Sequence, residues 1–128
     1  MSRRMIIVAV LVIACLPLAC SKSSAIRDAS IDELHDALGK PNTVLLDIRK
    51  GDILGSDLVF IEGALQVPMH TLAQNLHIIP KQSNVYIIAN DFNNTVKAAN
   101  ILADNGYSFI YRVQEGFDAY VKKYPQKP

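Results

Sequence analysis

The chain has 128 residues, a formal net charge of +1, and 50% hydrophobic against 20% charged side chains. Those values are the size expected of one globular domain at most, and the composition argues against a disordered chain. No basic stripe with interleaved aromatics is present, so nucleic acid is not an expected partner. The two cysteines, Cys15 and Cys20, cannot supply a disulfide framework or a cysteine-built zinc site in the folded part.

The first element is an N-terminal signal. Arg3 and Arg4 precede an uncharged apolar run over residues 5–19, shorter than the ~20 residues a membrane span requires. Pro17 also disfavours a continuous helix. A basic start, an apolar run and a small residue before Cys20 form the pattern of a bacterial secretory signal. The segment resembles the lipobox of bacterial lipoproteins. Leu18-Ala19-Cys20 leads directly into the polar SKSS, and Val12-Ile13-Ala14-Cys15 is the alternative box. The resemblance implies lipid attachment at Cys20 (alternatively Cys15) and a membrane-anchored lipoprotein of the bacterial cell envelope, facing the periplasm. Its partners would then be the lipid bilayer and an envelope protein. The alternative location is secreted and soluble. Loss of Arg3 and Arg4 with the first twenty residues leaves eleven basic against twelve acidic side chains and no thiol.

The expected organisation is a signal over 1–20, a tether over 21–25, one domain over 26–124 and a frayed tail over 125–128. Ser30-Ile31-Asp32-Glu33 has the form of a capping box. Ile31, Leu34 and Leu38 share one face of a short helix that Gly39 and Pro41 stop. The apolar run 43–48 between turn residues reads as a strand covered on both faces. Residues 51–57 read as loop, 58–61 as extended chain, Gly63-Ala64 as a turn and 71–76 as a weak helix. After a turn at 80–84, residues 85–89 form a second buried strand, then a tight loop over Ala89 to Asn94. The next helix carries Val96, Ala99, Leu102 and Ala103 on one stripe and ends at Asn105-Gly106, where glycine takes a left-handed cap. A third strand spans 107–113. A terminal helix over 115–124 has Phe117, Tyr120 and Val121 on one side. Strands alternating with helices define an α/β class with a mainly parallel sheet and helices on both faces.

These residues resemble the rhodanese-like (sulfurtransferase homology) domain over nearly all of the folded part. ISIDELHDAL is similar to that family's first helix, and VLLDIRK to its strand ending in Asp and Arg, here Asp47 and Arg49. FIEGALQVP is similar to its G-H-I-P-G-A-x-x-I-P segment, with Gly63, Ala64 and Pro68 in place and Phe60 where His is usual. AANILADNGYSFIYRVQEGFDAY matches its helix, Gly-Tyr turn, last strand and G-G-x-x-x-W ending, through Gly106, Gly116 and Tyr120. The resemblance implies a three-layer sandwich around the parallel sheet. It also implies an active-site loop of the form C-x-x-x-x-R after the central strand. Counting back from Gly106 puts Ala89 at the Cys place and Asn94 at the Arg place; a shift of one puts Asn90 and Thr95 there.

Neither register supplies a nucleophile, and covalent sulfur transfer needs an ionised thiol. The candidate site is therefore a vestigial active-site loop of Ala89, Asn90, Asp91, Phe92, Asn93, Asn94 and Thr95, supported by Asp47 and Arg49. Asp47 is expected to accept loop N–H bonds, with Arg49 pairing locally. Phe92 either anchors a protein partner or fills the emptied pocket. His35, His70 and His77 are read as solvated. No catalytic residue, metal or cofactor is expected. The expected function is a catalytically inactive rhodanese-like binding module tethered at the cell envelope. The alternatives are sulfur transfer as in active members, and small-anion sensing or carriage by the loop.

Overall fold

The computed structural model describes residues 24–50 and 59–127. Cys15, Cys20, the signal, most of the tether and the expected loop at 51–57 lie outside them. Five strands, β1 (Ala25–Ala29), β2 (Thr43–Asp47), β3 (Leu65–Gln66), β4 (Asn84–Ile88) and β5 (Phe109–Val113), form one sheet in the order β1-β5-β4-β2-β3. Every pairing is parallel. The helices are α1 (Ile31–Ala37), α2 (Phe92–Asp104) and α3 (Gly116–Lys123), with two short 3₁₀ turns at Met69–Gln74 and Leu76–Ile78.

Alternation along the strands explains the three layers. Successive residues of a strand point to opposite faces. Leu46, Val85, Ile87 and Ile110 therefore pack on one side with Leu72 and with Ala98, Ala99 and Leu102 of α2. Leu45, Ile88 and Val113 pack on the other with Leu34 of α1 and with Phe117 and Tyr120 of α3. Both faces of β2 and β4 are covered, which is why these strands read as continuous apolar runs. The capping box forms as expected. Ser30 Oγ accepts from the Glu33 N–H at 3.1 Å, and the Glu33 carboxylate accepts from the Ser30 N–H at 2.7 Å.

Several expectations are corrected. β1 begins at Ala25, a residue assigned to the tether, and is an edge strand paired only with β5. Its centre, Arg27-Asp28, is exposed, so it lacks the apolar run that marks the central strands. The two-residue strand β3 was not expected. The expected helix over 71–76 is instead the pair of 3₁₀ turns, entered from Pro68. The expected six-residue loop after β4 is only residues 89–91, because Asp91 caps α2 and Phe92 is already helical.

The connections after β2 and β4 leave in opposite directions across the sheet. That divergence makes the carboxyl ends of these two neighbouring strands the topological switch point, where open α/β sheets leave a crevice.

Candidate functional site

A cleft of about 770 Å³ opens at this switch point, within the ~300–1,000 Å³ usual for small-ligand sites. Ile48, Arg49 and Lys50 line it from the end of β2, Met69 and His70 from the first 3₁₀ turn, and Ala89, Asn90, Asp91 and Asn94 from the end of β4 and the start of α2.

Ala89 lies on the floor and is 3% exposed. Its carbonyl accepts from the Phe117 N–H at 3.0 Å. This bond requires Gly116, whose φ is +85° and whose place leaves no room for a side chain. A Cβ there would lie 3.0 Å from the Ala89 carbonyl oxygen. The start of α3 thus fixes the backbone of the cleft floor.

Asp91 sets the electrostatics of the loop. Its carboxylate accepts from the Asn93 N–H at 2.9 Å, and its carbonyl from the Asn94 N–H at 3.1 Å. The first turn of a helix presents free N–H groups and a partial positive charge. Here the chain's own carboxylate occupies that position. Thr95, the loop's hydroxyl, is fully buried and donates to the Phe92 carbonyl at 2.6 Å, so it is turned into the helix and away from the cleft. Asn90 and Asn94 remain as uncharged amides on the cleft wall.

Asp47 and Arg49 form a fork beneath the β2 side. Asp47 is 2% exposed. It accepts from the Arg49 N–H at 3.1 Å, from Arg49 Nε at 3.0 and 3.1 Å, and from an Arg49 terminal nitrogen at 2.8 Å. The same terminal nitrogen donates to the Val59 carbonyl at 2.9 Å, and the guanidinium lies 3.2 Å from the centroid of the Phe117 ring. A bidentate pair stacked on an aromatic face is a rigid arrangement. It joins β2, the segment at Val59 and α3. Among the described residues the formal charges of Arg49 and Lys50 are matched in number by those of Asp91, on the cleft wall, and Asp47, paired with Arg49.

Phe92 lies outside the cleft. It is 36% exposed on the first turn of α2, with the Arg112 guanidinium 5.3 Å from its ring centroid. It does not fill the pocket. Of the three histidines, His70 lines the cleft and is exposed. His35 is on α1, its ring stacked 3.7 Å from that of Tyr124 and its Nδ1 3.0 Å from the Tyr120 hydroxyl, and His77 sits in the second 3₁₀ turn. Phe60, at the place where His is usual, is 43% exposed. Sequence reasoning did not assign Ile48, Lys50 or Met69 to the site; their only signal was position just after a strand or a Pro. Among the described residues no group of three or more His, Cys, Asp or Glu side chains could hold a metal ion. Among them too, no helix is long and apolar enough to cross a membrane. Cys20 and Cys15 lie outside them.

Among the described residues the cleft is lined by amides, apolar groups and the charged side chains of Arg49, Lys50 and Asp91. It offers amides from Asn90 and Asn94, an apolar floor of Ile48, Met69 and Ala89, and an ammonium and an imidazole at the rim.

No protein-family model matches the chain. Over 96 residues it is 29% identical to the thiosulfate sulfurtransferase GlpE of Tolumonas auensis, a match covering 75% of this chain and 89% of that protein. Its structure is similar to that of the Alr3790 protein of Anabaena sp., with a TM-score of 0.65 at 20% identity, over 77% of this chain and 79% of the other. It is also similar to a rhodanese-like domain protein of Staphylococcus aureus, with a TM-score of 0.64 at 24% identity, over 73% and 90% of the two chains. The fold is rhodanese-like: an α/β sandwich around a five-stranded parallel sheet.

Proposed function

We propose that this rhodanese-fold chain is a binding module without sulfur-transfer chemistry, tethered at the bacterial cell envelope and acting through a protein partner or a non-covalently held ligand. The observation that carries the reading is Ala89 on the floor of the cleft at the end of β4. A persulfide carrier needs a sulfur atom at such a place, ionised near neutral pH. Neither Ala89 nor Asn90 provides one, and the loop has no guanidinium. The Asp91 carboxylate at the helix start works against binding a second anion there. Phe92, an exposed aromatic on the first turn of α2 beside Arg112, is of the kind that anchors protein partners. The tether rests on the signal pattern and on Cys20 followed by SKSS.

Two measurements test this. The 21–128 fragment is incubated with thiosulfate and cyanide, and thiocyanate is followed. Turnover no greater than the protein-free rate is expected. Saturable turnover would establish the alternative, sulfur transfer, which the likeness to a thiosulfate sulfurtransferase favours. Amide spectra of the same fragment, titrated with thiosulfate, sulfite and phosphate, are expected to show no saturable shift over 89–95. A confined, saturable shift there would make the loop an anion cradle.

A further inference from the structure

We propose that the end of the sheet where the strands begin is a membrane-docking face, centred on Phe109, that holds the cleft away from a lipid surface. This inference rests on the tether reading above.

Parallel topology puts all strand starts at one end. Ala25, Phe109, Asn84 and Thr43 are in register across β1, β5, β4 and β2. The cleft is built from the opposite ends, after Asp47 and Ile88. The chain enters the fold at Ala25, the first residue of β1, so it enters at the end opposite the cleft. Five Cα steps separate Cys20 from Ala25. At ~3.3–3.6 Å per residue the fully extended limit is about 18 Å. A lipid on Cys20 therefore keeps Ala25, at the strand-start end of the sheet, within that distance of the bilayer interface.

The surface found there suits a lipid interface. Phe109 is 52% exposed, the highest value among the large exposed hydrophobic residues of the described part. A shallow hollow around it is lined by Lys81, Gln82, Gly106 and Ser108. Lys40 is exposed on the connection that leads into β2. A ring beside a long amphipathic cation, here Phe109 beside Lys81, is an arrangement that inserts at headgroup level while the ammonium group stays in water. The electrostatic part is small, since Asp36 lines the same hollow as Lys40. The aromatic ring and the short tether carry the docking. The occupant is the bilayer surface, because the segment that leads to this face is the segment that would bear the lipid.

The test uses the full-length chain, purified from bacterial membranes and placed in vesicles of phosphatidylethanolamine and phosphatidylglycerol, with brominated acyl chains as quencher. The sequence contains no tryptophan, so F109W and F92W each introduce a single fluorophore, one at each end of the sheet. Vesicle flotation is measured on the same samples. The expected result is flotation of both variants, with a blue shift and loss of emission on bromination for F109W and none for F92W. Flotation without quenching of F109W, or with equal quenching of both, overturns the docking face and leaves the tether standing. Failure to float overturns the tether and the docking face with it. A blue shift of F109W in detergent-free solution without vesicles, rising with protein concentration, shows that a second copy covers the face and also overturns the proposal.

Discussion

At the scale of single residues, the cleft is governed by small groups that fix its backbone. Gly116 is held at φ +85° with the Ala89 carbonyl oxygen 3.0 Å from where a Cβ would be. A left-handed backbone costs an ordinary residue ~1–2 kcal/mol, and here the close contact adds to it. G116A is expected to destabilise the domain by about 2 kcal/mol, a fall in Tm on the order of 10 °C for this size. Thermal melts followed by circular dichroism would show it. An unchanged Tm would mean that the start of α3 does not fix the floor. Tyr107 is fully buried, with its hydroxyl 2.8 Å from the Leu76 carbonyl and 2.7 Å from the Ile79 carbonyl. It fastens the second 3₁₀ turn to the start of β5. Burial pushes its phenol above the ordinary value. Y107F leaves a buried carbonyl without its donor and is expected to cost ~1–2 kcal/mol, read as a lower urea midpoint with an unchanged slope. Ala89 also carries a prediction. A cysteine placed there by A89C would be buried, near Asp91 and without a guanidinium in its own loop, the Arg49 guanidinium being paired with Asp47, and its thiol is expected to titrate at or above the ordinary ~8.5. Alkylation rates against pH would measure this, and a thiolate already formed at neutral pH would contradict it.

Among the elements, α1 and α3 are clasped by a pH-dependent pair of contacts. Asp32 of α1 accepts from Lys123 Nζ at 2.8 Å and from the Tyr124 hydroxyl. The Lys123 and Tyr124 bonds hold the Asp32 carboxyl below its ordinary value. The bond to Asp32 pushes the Tyr124 phenol up to about 12. The signs differ. A carboxyl with a lowered folded pKa contributes stability above its unfolded value, and that contribution fades as pH falls through the folded value. A phenol with a raised folded pKa contributes below ~10 and loses its contribution as pH rises toward 12. The Tm difference between wild type and D32N is therefore expected to be present at neutral pH and to vanish at both extremes. A difference independent of pH would mean that the clasp is not electrostatic. The elements themselves were legible to different degrees. Ser30 and Glu33 announced α1 because a capping box is a local interaction. The runs at 43–48 and 85–89 announced β2 and β4 because burial on both faces removes polar residues. β1 was not legible, since an edge strand bearing Arg27-Asp28 has the composition of a polar linker. β3 is too short to leave a pattern. The start of α2 was misplaced because Asn90, Asn93 and Asn94 read as loop, although Asp91 is a favoured N-cap residue.

For the whole molecule, topology brought the two strand ends together at the switch point, and the motif order had already put Asp47, Arg49 and Ala89 there. What sequence could not resolve was direction. Phe92 could face in or out, and only the packing of α2 decides that it is exposed. The reach of the cleft to Ile48, Lys50 and Met69 likewise depends on how the connection after β2 lies against α2, a tertiary matter. Lipid anchorage belongs at this scale. C20S is expected to move the full-length protein from the membrane to the soluble extract, with C15S remaining in the membrane fraction. Cell fractionation with intact mass of the N-terminus would show it, and the reverse pattern would place the lipid at Cys15.

The pairing of β1 with β5 also determines when the sheet can be completed. Ala25 pairs with Phe109, and the Ile31 N–H donates to the Glu115 carboxylate at 2.8 Å, each across 84 positions. The first strand has nothing to pair with until the last one exists. At ~5–20 residues per second, synthesis of the intervening chain takes on the order of ten seconds, and contacts so distant in sequence also close slowly. A protein exported in the way proposed here must pass through the translocation channel before it acquires structure. Its strand order supplies part of that delay: β1 stays unpaired, and the sheet incomplete, until the C-terminal quarter has been made.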